Sequence, residues 1–357
     1  MSDLQISLLV IGAFVIAGVY LFNWRQERQY RRRAEQAFTH AHDDVLLQGA
    51  AAQDATPVER VEPRIQVAPT APATARTAAK ALVATVVDPL IDYVVEVSLE
   101  PATDGAALHE ELLALAAAWG KPVRVAGYDP DSGEWHEAGI GSGKQYPQLR
   151  FALQMSNRAG CVAQNQLTTF RDAVLRWAER NQGEAKCLDV AEAHAMAVQL
   201  DRFCANVDIA IGINVVARDG NPFSGTKIRA LAESSGLKLE PDGVFYARGE
   251  HGDMLFTLDN HEPMPFVPEQ MKTLFTRGIT FLLDVPRVDD VLGAFDAMLE
   301  TAGNFAAALG GTLVDDNRNA LSDGAIEKIR RQLEGILVKM EAGQIAAGGV
   351  RARRLFS

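Results

Sequence analysis

A chain of 357 residues with 48% hydrophobic and 23% charged side chains has room for a membrane or linker region plus one or two domains of ordinary size. Its formal net charge of -11 argues against a general nucleic-acid binder, because neutralising phosphates requires a concentrated basic surface. Its cysteines, Cys161, Cys187 and Cys204, form no CxxC pair, which excludes a disulfide-stapled secreted fold.

Residues 4–22 carry no formal charge and are rich in Leu, Ile, Val, Ala and Phe. At about 1.5 Å per residue such a helix covers roughly 28 Å, enough for the hydrocarbon core of a bilayer. A cleaved signal peptide would need a basic segment ahead of the apolar one, whereas only Met1, Ser2 and Asp3 precede it. Positive charge follows instead, at Arg25, Arg28, Arg31, Arg32 and Arg33, which holds that flank in the cytoplasm and attracts inner-membrane lipid. The expectation is a single transmembrane anchor over 1–24 with the N-terminus outside and the bulk of the chain cytoplasmic.

Residues 25–88 are expected to form a basic flank and a disordered Ala/Pro-rich linker. No aromatic residue occurs between Phe38 and Tyr93, and Pro57, Pro63, Pro69 and Pro72 interrupt an Ala- and Thr-rich stretch that has little to bury. Folded sequence then begins with a β-branched run at 93–99. A helix follows at 106–119, strands at 123–128 and 149–156, a helix at 166–180, a short strand at 185–188 and a helix at 190–204. The second unit gives a strand at 208–217, a helix at 225–235, strands at 242–248, 254–258 and 279–285, a long helix at 288–309 stopped by Gly310 and Gly311, a strand at 312–316 and a helix from Ser322 to about 340. The fold class is therefore α+β, with two modules over 89–205 and 206–342. Their common element order reads either as diverged duplication or as chance recurrence. Residues 343–357, with Gly343, Gly348, Gly349 and three arginines, read as a flexible basic tail.

Catalytic chemistry finds little support. Gly139, Gly141 and Gly143 before Lys144 suggest a phosphate loop, but Ala138 and Gln145 stand where the Walker pattern needs Gly and Ser or Thr. His251, Asp253, Asp315 and Asp316 match no metal-ligand spacing, and the three cysteines with His194 resemble zinc ligands only by residue type; Cys187 and Cys204 fall in apolar patterns that suit buried thiols. No nucleophile, base and orienting group are jointly indicated, so the reading is a non-enzyme without cofactor or metal.

Within 207–341 five stretches carry a more specific signal: INV at 213–215, Phe245 with Tyr246, LFTL at 255–258, GITFLLDVP at 278–286 and GGTLVDDNR at 310–318. Together and in this order, behind a span and a tether, they resemble the ZipA family of bacterial division proteins, which anchor the FtsZ ring to the inner membrane. The resemblance implies a split βαβ sheet with helices on one face and, on the other, a shallow apolar groove for the FtsZ C-terminal peptide. Alternation along ITFLLDV turns Ile279, Phe281, Leu283 and Val285 toward the helices and Thr280 and Leu282 outward. The groove is then expected to comprise Val215, Phe245, Thr257, Asp259, His261, Thr280 and Leu282. Gly243 and His261 stand where the family groove tends to be apolar, so the groove should be shallower.

The function that follows is tethering of FtsZ polymers to the cytoplasmic face of the inner membrane at the division site. Many tethered copies meeting many tails convert weak single contacts into durable attachment, stabilise or bundle filaments and bring copies close enough to self-associate. The rival is an anchored scaffold that uses the same sheet face for another division or envelope protein.

Overall fold

The computed structural model describes residues 86–357 apart from 105, 139–143 and 219. The expected anchor, the five flanking arginines and most of the linker lie outside the described residues. Among the described residues no helix is long and apolar enough to cross a membrane.

The first module runs β1 (Asp92–Thr103), α1 (Ala106–Trp119), β2 (Val123–Asp129), β3 (Glu134–Glu137), β4 (Tyr146–Gln154), a small ribbon of β5 (Ser156–Asn157) and β6 (Gly160–Cys161), α2 (Gln164–Arg180), β7 (Glu184–Cys187) and α3 (Val190–Val207). Alternation in β1 buries Tyr93, Val95, Val97 and Leu99. Three-and-four spacing in α2 buries Leu167, Phe170, Val174 and Trp177. At the start of α3 the Asp189 carboxylate accepts from the Ala191 amide at 2.8 Å, which satisfies an otherwise open helix-end donor.

The second module runs β8 (Ala210–Ala217), β9 (Phe223–Ser224), α4 (Gly225–Ser234), β10 (Lys238–Leu239), β11 (Phe245–Arg248), β12 (Met254–Asn260), β13 (Phe275–Thr276), β14 (Gly278–Asp284), α5 (Val291–Leu309), β15 (Gly311–Val314) and α6 (Asp323–Ala342). The long helix begins later than its sequence pattern implies, because Val285–Arg287, with Pro286, forms a 3-10 turn. Asp290 then caps α5 through the Gly293 amide at 3.0 Å. Gly310, at φ 73°, ends it in the left-handed conformation that favours glycine.

Apart from the two-residue strands β5, β6, β9, β10 and β13, both modules run strand, helix, three strands, helix, strand and helix, but their sheets differ. The first has the order β3-β2-β4-β1-β7 and the second β10-β11-β12-β14-β8-β15, with all neighbours antiparallel. In the first, the leading strand of the hairpin lies beside β4; in the second, the trailing strand lies beside β14. The two modules share an element order and not a strand order. In the second, β8 and β12 are parallel strands split by β14, and α5 packs against β8, β12, β14 and β15 on one face.

The modules share one apolar core extending from Ile91 to Phe356, within a single compact unit. Arg158 on the β5–β6 turn hydrogen-bonds Asp208 at 2.8 Å and Asp284 at 2.7 Å, so one guanidinium joins the first module to the start of β8 and the end of β14, neighbouring strands of the second. Burial works against its charge, yet the bonds to Asp284 and Asp208 outweigh that and hold it above the usual arginine range.

Residues 343–357 are not a flexible tail. They carry α7 (Val350–Leu355), and Ala352, Leu355 and Phe356 are buried in the shared core. Arg351 pairs with Asp88, Arg354 pairs with Asp92, and Gln154 donates to the Arg354 carbonyl at 3.0 Å. The chain end is thus fixed to the beginning of β1. Folded structure also starts ahead of 89, since Val87 and Asp88 are buried.

Candidate peptide-docking face

The site is built on the face of the second sheet opposite α5. In β14, Ile279, Phe281 and Leu283 are buried toward the helices, while Leu282, 37% exposed, points outward. Strand pairing carries this face across the sheet. Tyr246, Thr257, Leu282 and Gly212 form one cross-strand row, and Asp259, Thr280 and Asn214 form the next. Gly212 has no side chain of its own beside Leu282, and the Asp316 carboxylate occupies the space above it.

Of the residues expected here, Thr257, Asp259, Thr280 and Leu282 share this face, and His261 lies at its end. Phe245 and Val215 do not. Both are fully buried on the helix side, where Phe245 pairs with Leu258 and packs 5.3 Å from Phe266, and Val215 pairs with Ile279. Their parity is set by Tyr246, which lies opposite Thr257, and by Asn214, which lies opposite Thr280. Reading outward from Leu282 without the pairing register shifts β8 and β11 by one residue and exchanges their faces, while β12 is placed correctly. Tyr246, Asn214 and Gly212 are the positions that reading missed. Gly243, at φ 84°, belongs to the turn ahead of β11, and a Cβ there would lie 2.5 Å from Pro265. Its glycine answers to backbone conformation and close packing.

A polar ribbon borders the open part of the face. Asn214 Nδ2 donates to Asp316 Oδ1 at 2.9 Å, Thr280 Oγ1 donates to Asn214 Oδ1 at 2.6 Å, and His261 Nδ1 lies 3.1 Å from Thr280 Oγ1. The carboxylate only accepts, so it fixes the amide's orientation. The threonine proton is then committed to Asn214, and His261 Nδ1 must be the donor to Thr280. A Cβ at Gly212 would lie 2.7 Å from Asp316 Oδ1, so glycine lets the loop after β15 close over β8.

The other border is acidic. Tyr246 donates to Asp242 Oδ2 at 2.7 Å, and this bond, with burial, moves the phenol up to about 12. Burial pushes the Asp259 carboxyl above its ordinary range, repulsion from Asp242 adds to this, and the Thr257 hydroxyl works against it.

The residues considered for catalysis are placed otherwise. Asp315 accepts the Asn317 and Asn319 amides within a turn, Asp316 serves the ribbon, and Asp253 pairs with Arg353. Lys144 pairs with Asp129, while the glycines at 139–143 lie outside the described residues. Cys204 is buried, which pushes its thiol up to about 12, but Cys187 is exposed on edge strand β7 and is not the buried thiol its apolar surroundings suggest.

Residues 209–332 match the family model described as "ZipA, C-terminal FtsZ-binding domain". Among curated proteins, the cell division protein ZipA of Marinobacter nauticus is 38% identical over 126 residues, covering 34% of this chain and 37% of that one. Those of Ectopseudomonas mendocina and Pseudomonas aeruginosa strain LESB58 are 30% and 31% identical, covering 38% and 36% of this chain and 52% and 46% of theirs. The chain thus spans roughly a third to a half of the length of these relatives, through its second module. That module, with its split βαβ sheet and one-sided helix layer, is similar over nearly its whole length to the ZipA C-terminal domain family.

Proposed function

We propose that this chain binds the C-terminal peptide of FtsZ on the outward face of β11, β12 and β14 and tethers FtsZ polymers to the cytoplasmic face of the inner membrane. The observation that carries the reading is an exposed Leu282 on the sheet face opposite α5, inside the segment that matches a ZipA C-terminal domain. An amphipathic peptide would set an apolar side chain against Leu282 and run across the Tyr246 and Thr257 row. The arginine-flanked apolar segment at 4–22 supplies the anchor in this reading. A single shallow contact is weak. Attachment gains durability from many tethered copies meeting one polymer, and neighbouring copies on adjacent filaments would bundle them.

The test is titration of a labelled C-terminal peptide of the same organism's FtsZ into the purified full chain and its Leu282→Glu variant. Saturable micromolar binding is expected, weakened at least about tenfold in the variant, which is ~1.4 kcal/mol of binding energy. The melting temperature should change by less than about 2 °C, because the substituted side chain is already partly in water. Undiminished affinity in a folded Leu282→Glu chain contradicts the assignment.

A further inference from the structure

The first sheet carries a small apolar cluster of its own on the side away from its helices. Ala126 and Ala152 point there by alternation with Val125 and Phe151, which face the shared core, yet each is only 1% exposed. What covers them is the chain's own approach to β1: Val87 is buried in this cluster, and Val86, Val94 and Trp135 pack against it.

The approach is pinned at Asp88. Its carbonyl accepts the Ile91 and Asp92 amides at 3.0 and 2.8 Å, its amide donates to Asp92 Oδ2 at 2.9 Å, and its carboxylate pairs with Arg351. This turn folds the residues ahead of β1 back over the outer face of the sheet, toward Trp135 on β3. There the Trp135 ring lies 5.6 Å from that of Tyr128 and under the Arg150 guanidinium at 3.9 Å, which Glu96 holds by a 2.7 Å bond. The sequence ahead of Val86 suits the rest of that face. Residues 81–87 read ALVATVV, an uncharged run between Lys80 and Asp88 in a tether otherwise broken by prolines and charges. Extended at about 3.3 Å per residue, the run reaches roughly 23 Å, against roughly 19 Å across a sheet of five strands.

We propose that the outer face of the first sheet is a docking site for the chain's own segment 81–87, with Leu82 and Val83 continuing past Val86 over Trp135 and Tyr128. The first module then receives the end of the tether and fixes where it leaves the folded body. The counterpart of the face that bears Leu282 in the second module is closed here to peptides from other chains.

The experiment is fluorine NMR of the full chain labelled with 5-fluorotryptophan, whose resonances belong to Trp24, Trp119, Trp135 and Trp177. Val87→Asp disturbs a contact already on the face, and the shift it causes at Trp135 is the reference. Leu82→Asp and Val83→Asp together should move the Trp135 resonance in the same direction and leave Trp177, packed against Phe151 on the helix side, in place. The milder pair Leu82→Ser and Val83→Ser should move Trp135 the same way by less. A Trp135 resonance unmoved by both pairs would overturn the proposal and end the strap at Val86. So would a Trp135 resonance that shifts in the unsubstituted chain on saturation with the FtsZ C-terminal peptide, since the face would then be a partner's site.

Discussion

A chain ending at Ala342 is expected to lose its fold, not merely a tail. The removed segment contributes Leu355 and Phe356, both fully buried, to the core shared by the modules. Truncating buried leucine or phenylalanine to alanine typically costs about 2–5 kcal/mol each, against a net stability of about 5–15 kcal/mol for a whole domain. Arg354 would be lost as well, leaving the Asp92 carboxylate buried without the guanidinium that faces it. Circular dichroism melts of the full chain, the truncated chain and a Phe356→Ala chain decide the matter. The truncated protein should show no cooperative native transition at room temperature, and Phe356→Ala should melt about 10 °C lower. A truncated chain that melts within about 2 °C of the parent would mean that the segment is peripheral. The second module should accordingly be studied with its chain end and the first module in place.

Replacing Arg158 by alanine is expected to be the most damaging single change at the contact between the modules. Its guanidinium is the shared partner of Asp208 and Asp284, with side chains between 17% and 27% exposed. Without it two carboxylates face each other, and among the described residues Arg287, 3.8 Å from Asp284, is the remaining ion-pair partner. Breaking a fully buried pair costs about 3–5 kcal/mol; partial access to water lowers this to about 2–3 kcal/mol, or a fall of about 4–10 °C in melting temperature. Arg158→Lys should recover less than half of the loss, because a point charge cannot engage two carboxylates as a planar fork does. A melting temperature within 1 °C of the parent for Arg158→Ala would show that the bridge contributes nothing.

Much of the second module is legible in its sequence because one strand is unambiguous. In ITFLLDV, Thr280 and Asp284 fix the parity on either side of the Leu282–Leu283 pair, and the outward Leu282 follows from them. The flanking strands lack that clarity. Val215 is followed by Val216, and Phe245 by Tyr246, so alternation in polarity cannot say which member of each pair faces the helices. The answer lies in pairing register, which a single strand does not contain. Asn214 adds to the ambiguity: a buried polar residue looks misplaced until its bonds to Asp316 and Thr280 are seen. The chain end is a different case. Three glycines and three arginines suggest fraying, yet Ala352, Leu355 and Phe356 have the three-and-four spacing of a helix face, and that signal was present in the sequence. The reversed hairpin order of the two sheets, by contrast, leaves no trace in element order.

The docking face and the core face of the same sheet can be distinguished in one spectrum. Methyl-labelled full chain, titrated with the FtsZ C-terminal peptide, reports Leu282 on the outward face and Val215 and Leu258 on the helix side. Saturable shifts should be largest at Leu282 and small at Val215 and Leu258. Saturable shifts centred on the first module or the helix layer, with Leu282 unmoved, would contradict docking on the outward face of β11, β12 and β14.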